Sequence, residues 1–216
     1  MVQTETGTPR QRYRAQVQEE IKQHAWEQIA TAGASALSLN AIAKQMGMSG
    51  PALYRYFANR DELITALIRD AYQSMADAMR AAVADGAGLR GLARTLREWA
   101  LEDPQRYLLI YGTPVPGYQA PEDTTRLAND VMALLLDASS AEGLGALPPS
   151  PVQTHLEQHS PWAGAHAGEG TTLHRAVILW TRLHGVLSLE LAGHFAGMEF
   201  DPALLYAAEV EAVAGY

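Results

Sequence analysis

The sequence predicts an all-α protein, with a small N-terminal group of three helices joined through a long fourth helix to a larger C-terminal bundle. Three observations carry that expectation. Apolar residues recur at helical spacing along almost the whole chain, and no convincing alternation of apolar and polar residues marks a strand. Hydrophobic residues make up 48% and charged residues 19% of the 216, the balance of a chain that buries a core rather than staying disordered. Short helices with glycine stops crowd into the first sixty residues, whereas the helices beyond Gly86 are longer and more apolar.

The first helix sets Val17, Ile21, Ala25 and Ile29 four residues apart, with Trp26 beside them, and Gly33 stops it. A short second helix is capped by Ser38 and places Leu39, Ile42 and Met46 on one face before Gly47 ends it. A third runs from Ser49 or Gly50 to near Phe57. Asn59 opens the long fourth helix, with Glu62 three residues on as an approximate capping box and Leu63, Leu67, Ala71 and Met75 on the buried stripe. Further helices are expected near 88–101, 104–112, 122–139 and 171–196, and a last one from Asp201 to about Val213. The run 112–121 is rich in turn residues, and the Gly-, Pro- and Ser-dense stretch 141–170 reads as a long connection. A first domain is therefore expected at residues 1–60, including an N-terminal arm, and a second at 61–216, with the boundary inside the fourth helix.

Composition excludes some chemistry and redirects the rest. There is no cysteine, so disulfides, thiolate zinc sites and thiol nucleophiles are out. No apolar leader and no run of 18 apolar residues appears, which makes a soluble cytoplasmic protein with no membrane partner the expectation. The net charge of −8 disfavours a polyanion partner at first sight, but the charge is unevenly spread. Residues 1–60 hold seven Lys/Arg against four acids, a balance of +3 that leaves −11 for the remainder. The N-terminal part is thus the one suited to meet nucleic acid.

Two short helices joined by a tight turn at Gly47 have the geometry of a helix-turn-helix, whose second helix lies in the DNA major groove. At about 100° per residue, Leu53 and Phe57 share a face that buries against Leu39, Ile42 and Met46, leaving Pro51 and Arg55 pointing away with Ala52, Tyr54 and Tyr56 on the flanks. Pro51 falls in the first turn, where its missing N–H has no intrahelical partner to lose. Small residues at Gly50 and Ala52 let the helix N-terminus approach a base edge or phosphate. Arg60 opposes the dipole at the start of the fourth helix, and a nearby phosphate would make that position favourable.

The stretch ALSLNAIAKQMGMSGPALYRYFANRDELITALI, residues 36–68, resembles the DNA-binding domain of the TetR/AcrR family of transcriptional regulators. By position, that resemblance implies DNA contacts from Ser38, Leu39 and Asn40, from Gly50, Pro51, Ala52, Tyr54 and Tyr56, and from Arg60. Ser49 belongs to the same surface, and Lys44 and Arg55 would add backbone or base contacts. Arg10, Arg12 and Arg14 are expected to form a disordered arm that touches DNA or merely solubilises the tail. Tyr56 and Arg60 stand where the family commonly has His or Tyr and Lys.

The segment WTRLHGVLSLELAGHF, residues 180–195, resembles a TetR C-terminal domain type marked by Trp, His and Gly, and GTPVPGY, residues 112–118, fits the same subgroup. The resemblance implies a homodimer through the last two long helices, a pocket for an unknown small-molecule inducer, and repression relieved from a palindromic operator. Trp99, Tyr107, Tyr111, Met132, Trp180 and His184 could line that pocket, and they are equally well explained as bundle core. Gly185 would allow close helix approach.

Other candidates carry less. His155 and His159 stand one helical turn apart with a glutamate third in the run, so the zinc-protease pattern fails, and no metal or cofactor is expected. His184 has no Ser, Asp or second His at a catalytic spacing, and no enzyme is expected. A helical small-molecule-binding protein or metal-dependent enzyme with a relic helix-turn-helix is the competing class.

Overall fold

The structure, a computed structural model, describes residues 8–142 and 150–215. Helices and turns account for all regular structure among them. Two compact units divide the chain. The first comprises residues up to Ile68 together with Thr113–Ala120, and the second comprises Arg69–Gly112 and Pro121 onward.

In the first unit, α1 spans Pro9–Ala32 and buries Val17, Ile21, Ala25 and Ile29, the four residues its periodicity selects. Its start differs from expectation. Arg10, Arg12 and Arg14 are helical, not part of a disordered arm; residues 1–7 lie outside the described ones. The cause is a full capping box in which the Thr8 hydroxyl accepts from the Gln11 amide and the Gln11 side chain accepts from the Thr8 amide at 2.8 Å, with Pro9 at the first helical position. Tyr13 and Ala15 there are exposed and form no buried stripe, so apolar spacing alone misses those two turns.

After one 3-10 turn at Ala34–Ala36, α2 covers Leu39–Gln45 with the Ser38 hydroxyl accepting from the Ala41 amide. Gly47 turns the chain at φ 65°, a left-handed conformation that glycine adopts without strain. The recognition helix α3 is shorter than expected, Gly50–Leu53, and continues as a tight turn through Tyr56. Leu53 and Phe57 are both buried, as are Leu39 and Ile42. Helix α4 spans Arg60–Ala84 and passes from the first unit into the second. Asn59 caps the Glu62 amide at 2.8 Å, while the Glu62 carboxylate reaches back to the Ala58 amide, one residue beyond the cap. The Tyr118 hydroxyl meets Thr65 at 3.0 Å, tying the 113–120 turn to the first unit.

The second unit contains α5 (Leu89–Glu102), α6 (Pro104–Tyr111), α7 (Glu122–Ala141), α8 (Pro151–Gln158), α9 (Gly170–Leu191) and α10 (Pro202–Ala214). Its core joins Met75 and Met79 of α4 to Leu92 and Leu96 of α5, Val131 and Leu135 of α7, Leu179 and Leu183 of α9, and Val210 of α10. Full burial of such side chains stabilises by about 1.5–3 kcal/mol each, the main force holding the bundle together. The stretch 141–170 is not one long connection. Ser150 caps α8 by accepting from the Gln153 amide at 3.2 Å, Pro151 takes the first helical position, and a 3-10 segment follows at Pro161–His166. The proline and serine that suggest a loop are here the start signal of a helix. Residues 143–149 lie outside the described ones. Helix α9 ends at Leu191 rather than near 196, because Gly193 at φ 77° turns the chain.

Candidate nucleic-acid interface and effector site

The exposed rim of α2 and α3 gathers most of the predicted contact residues. Asn40, Lys44, Ser49, Pro51, Tyr54 and Arg55 are exposed, and Ser38, Gly50, Ala52 and Tyr56 are half-buried. A Cβ built on Gly50 would lie 3.6 Å from Asn40 Oδ1, so the starts of α2 and α3 adjoin. Leu39 is the exception in this set. Its side chain is 5% exposed and belongs to the hydrophobic interior. Tyr54, at 45% exposed, and Arg55 are not sequestered, which keeps the aromatic and cationic side of the turn open to a ligand.

Two arginines hold this surface from outside it. Arg60 donates from Nη2 to the carbonyls of Ala34 at 3.1 Å and Ser35 at 3.2 Å, bracing the turn that leads into α2. Arg14 donates from Nη2 to the Arg55 carbonyl at 2.9 Å, and its guanidinium lies 5.3 Å over the Tyr56 ring. Reasoning from the sequence missed the Arg14 contact, since 41 residues separate the partners and no local spacing signals it.

In the second unit, four of the six predicted pocket residues come together. Trp180 and His184 meet edge-on with ring centroids 3.9 Å apart, Tyr111 lies 4.2 Å from His184, and Tyr107 stacks on His184 at 5.5 Å. Tyr72 of α4 completes the group edge-on to Tyr111 at 6.2 Å, a residue the sequence did not single out. The fully buried Tyr107 hydroxyl bridges His184 Nδ1 and Ser188 Oγ, each at 2.9 Å. The Tyr72 and Tyr111 hydroxyls interact with each other, whereas His184 Nε2 is buried without a hydrogen-bond partner among the described residues. Burial pushes the His184 pKa down to about 3, so the ring is neutral at ordinary pH. Burial likewise raises the Tyr111 hydroxyl above its usual range. Trp99 makes none of these ring contacts but belongs to the same hydrophobic core as Tyr107, its indole donating to Ser74 Oγ at 3.1 Å, and Met132 packs against that core.

The remaining histidines are engaged locally. His155 and His159 stack at 4.2 Å, and His159 Nδ1 lies 3.0 Å from the His155 carbonyl. His166 sits between Asp137 at 2.7 Å and Glu169 at 3.0 Å. Among the described residues no group of three or more His, Asp or Glu is placed to hold a metal ion, and no helix is long and apolar enough to cross a membrane.

Fold and exposed rim together define a helix-turn-helix regulator that binds DNA. Comparison with known proteins agrees: residues 21–67 match the family of bacterial regulatory proteins, tetR family, and residues 89–213 match the Tetracyclin repressor-like C-terminal domain. The HTH-type transcriptional regulators Mb1846 of Mycobacterium bovis and Rv1816 of Mycobacterium tuberculosis are each 35% identical over 225 residues, spanning 97% of this chain and 95% of the relative. The crystal structure of regulatory protein SCO4313 has 63% identity and a TM-score of 0.90, over 97% of this chain and 100% of that one. A TetR family regulator from Marinobacter aquaeolei VT8 shares the fold, with a TM-score of 0.64 at 22% identity over 95% of this chain and 98% of its own. The chain belongs to the TetR family of transcriptional regulators. The competing class, a helical small-molecule-binding protein or metal-dependent enzyme with a relic helix-turn-helix, is not favoured.

Proposed function

We propose that the protein is a cytoplasmic homodimeric repressor that binds a palindromic operator and leaves it when a small molecule occupies the second unit. One observation carries the DNA reading: Leu53 and Phe57 are buried while Pro51, Tyr54 and Arg55 stay exposed on the same short turn. Ser38, Asn40, Lys44, Ser49, Gly50, Pro51, Ala52, Tyr54, Arg55 and Tyr56 are the contact set, and Arg60 supports it from the start of α4. One such turn reads few base pairs, so two copies related by a dyad would read half-sites about 34 Å apart.

Support for a dimer through α9 and α10 comes from their outer faces. Leu189 and Leu204 are 45% and 71% exposed. Gly185 is exposed in the middle of α9, and a Cβ there would meet nothing within 4 Å. Glycine in a helix interior costs about 1 kcal/mol relative to alanine, and nothing inside the protomer requires it here. Close approach of a second copy's helix would.

For the effector, the unpartnered His184 Nε2 among aromatic rings suits a ligand that supplies a hydrogen bond in an apolar setting. Such a ligand acts by binding two states of the dimer with affinities a few kcal/mol apart, moving the α4 helices and with them the recognition turns. The test is a mobility-shift titration of the purified protein with DNA flanking its own gene, at low and physiological salt. A shifted band that survives competitor DNA and weakens steeply with salt supports the reading. No shift at any salt, or one that competitor abolishes, refutes it.

A further inference from the structure

We propose that Arg14 is a positioning residue for the recognition turn, fixing Tyr56 and the end of α3 rather than neutralising a DNA phosphate. The inference rests on the DNA-binding reading above and names a residue that sets its specificity.

Helix α3 cannot hold its own far end. After Leu53 the hydrogen bonds tighten to Arg55 N–Ala52 O at 3.4 Å and Tyr56 N–Leu53 O at 2.8 Å. Carbonyls at the end of a helix have no partner within it, and a helix this short is marginal without neighbours. The Arg55 carbonyl lies in the turn two residues past Leu53, and Arg14 donates to it, securing the segment that follows the helix. The same guanidinium covers the face of Tyr56, so one planar cation secures both the backbone and the ring of adjacent residues. A lysine ammonium can donate to the carbonyl but lacks the flat face for the ring, and a glutamine lacks the charge.

The beginning of α1 gives the second line of argument. Residues 8–16 are all exposed, and the first buried residue of the helix is Val17. These turns bury no apolar side chain, yet they are closed by a capping box and a proline at the first position. What the extension does carry is Arg14, one turn before Val17, held at a fixed height against the recognition turn. A tail that merely adds positive charge needs neither the cap nor the register.

Positioning and phosphate contact make opposite demands on salt dependence. Each phosphate neutralised contributes about 0.9 to the slope of log affinity on log salt, hence nearly 2 for two protomers. The experiment measures affinity of the full-length protein for operator and for scrambled duplex across a salt series. It uses wild type, Arg14→Gln, Arg14→Lys, Tyr56→Leu and the Arg14→Gln/Tyr56→Leu pair, with a thermal melt of each to confirm folding.

For Arg14→Gln, operator affinity should fall about tenfold while the slope stays within about 0.5 of wild type and scrambled-DNA affinity changes by less than about twofold. Arg14→Lys should not restore the operator preference. In the Tyr56→Leu background Arg14→Gln should cost little more, because the ring it holds is gone. A general loss of stability would lower affinity for both DNAs and show no such coupling to Tyr56. The proposal is overturned if the slope drops by nearly 2, if Arg14→Lys behaves as wild type, if the two changes add independently, or if Arg14→Gln leaves operator affinity unchanged. Failure of wild type itself to prefer operator would instead sink the DNA-binding reading.

Discussion

Acid should unfold this protein partly through His184, and replacing that residue by phenylalanine should remove the effect. Burial alone depresses its pKa to about 3, and its Nε2 has no acceptor among the described residues that would favour the charged ring. In the unfolded chain the imidazole returns to its ordinary 6.5. A group whose folded pKa lies below the unfolded one takes up protons preferentially on unfolding, so its contribution is intact above pH 6.5 and is lost as pH falls toward 3. From about pH 7 to about 5 the folding constant falls roughly 25-fold, about 2 kcal/mol per protomer. That interval lies well above the folded value, so the figure depends little on how far the pKa is depressed. Urea unfolding of wild type and His184→Phe at pH 7, 6 and 5 is the assay. Wild type should lose stability relative to the variant by about that amount across the series. Parallel curves would refute a buried neutral His184.

His166 should behave oppositely. Its hydrogen bond to Asp137 first, then that to Glu169, raises its pKa above 6.5, so its stabilisation is full below 6.5 and disappears as pH rises through the raised value. His166→Gln should therefore lower the melting temperature at about pH 5.5 and hardly change it at about pH 9, by differential scanning fluorimetry. Gly185→Ala distinguishes a free helix face from a packed one: on a free face alanine stabilises by about 0.4–1 kcal/mol, whereas at a close dimer crossing it should weaken association in sedimentation experiments. Arg60→Met removes the donor to the Ala34 and Ser35 carbonyls and should lower both stability and operator affinity. A pure phosphate contact would leave the melting temperature alone.

Local signals were legible in the sequence, and contacts across long separations were not. Ser38, Gly47 and Asn59 announced their caps and turn through residue type, and Leu53 with Phe57 announced the buried face of α3 through spacing. The start of α1 escaped because Thr8, Pro9 and Gln11 signal a cap but no buried stripe follows for two turns. Helix α8 escaped because Ser150 and Pro151 serve equally as loop and as helix start. Among the pocket candidates, spacing could place Tyr107 beside Tyr111 and Trp180 beside His184 within their helices. It could not bring Tyr72 to them, nor Ser188 to the Tyr107 hydroxyl 81 residues away.

The central claim is that a turn propped by its neighbours offers its aromatic side to bases. Tyr54→Ala tests this most directly, since the residue is 45% exposed and its loss leaves Leu53 and Phe57 in place. Measured against operator and scrambled duplex at one salt concentration, the variant should lose about tenfold in operator affinity with scrambled-DNA binding unchanged. An unaltered ratio between the two DNAs would contradict the account.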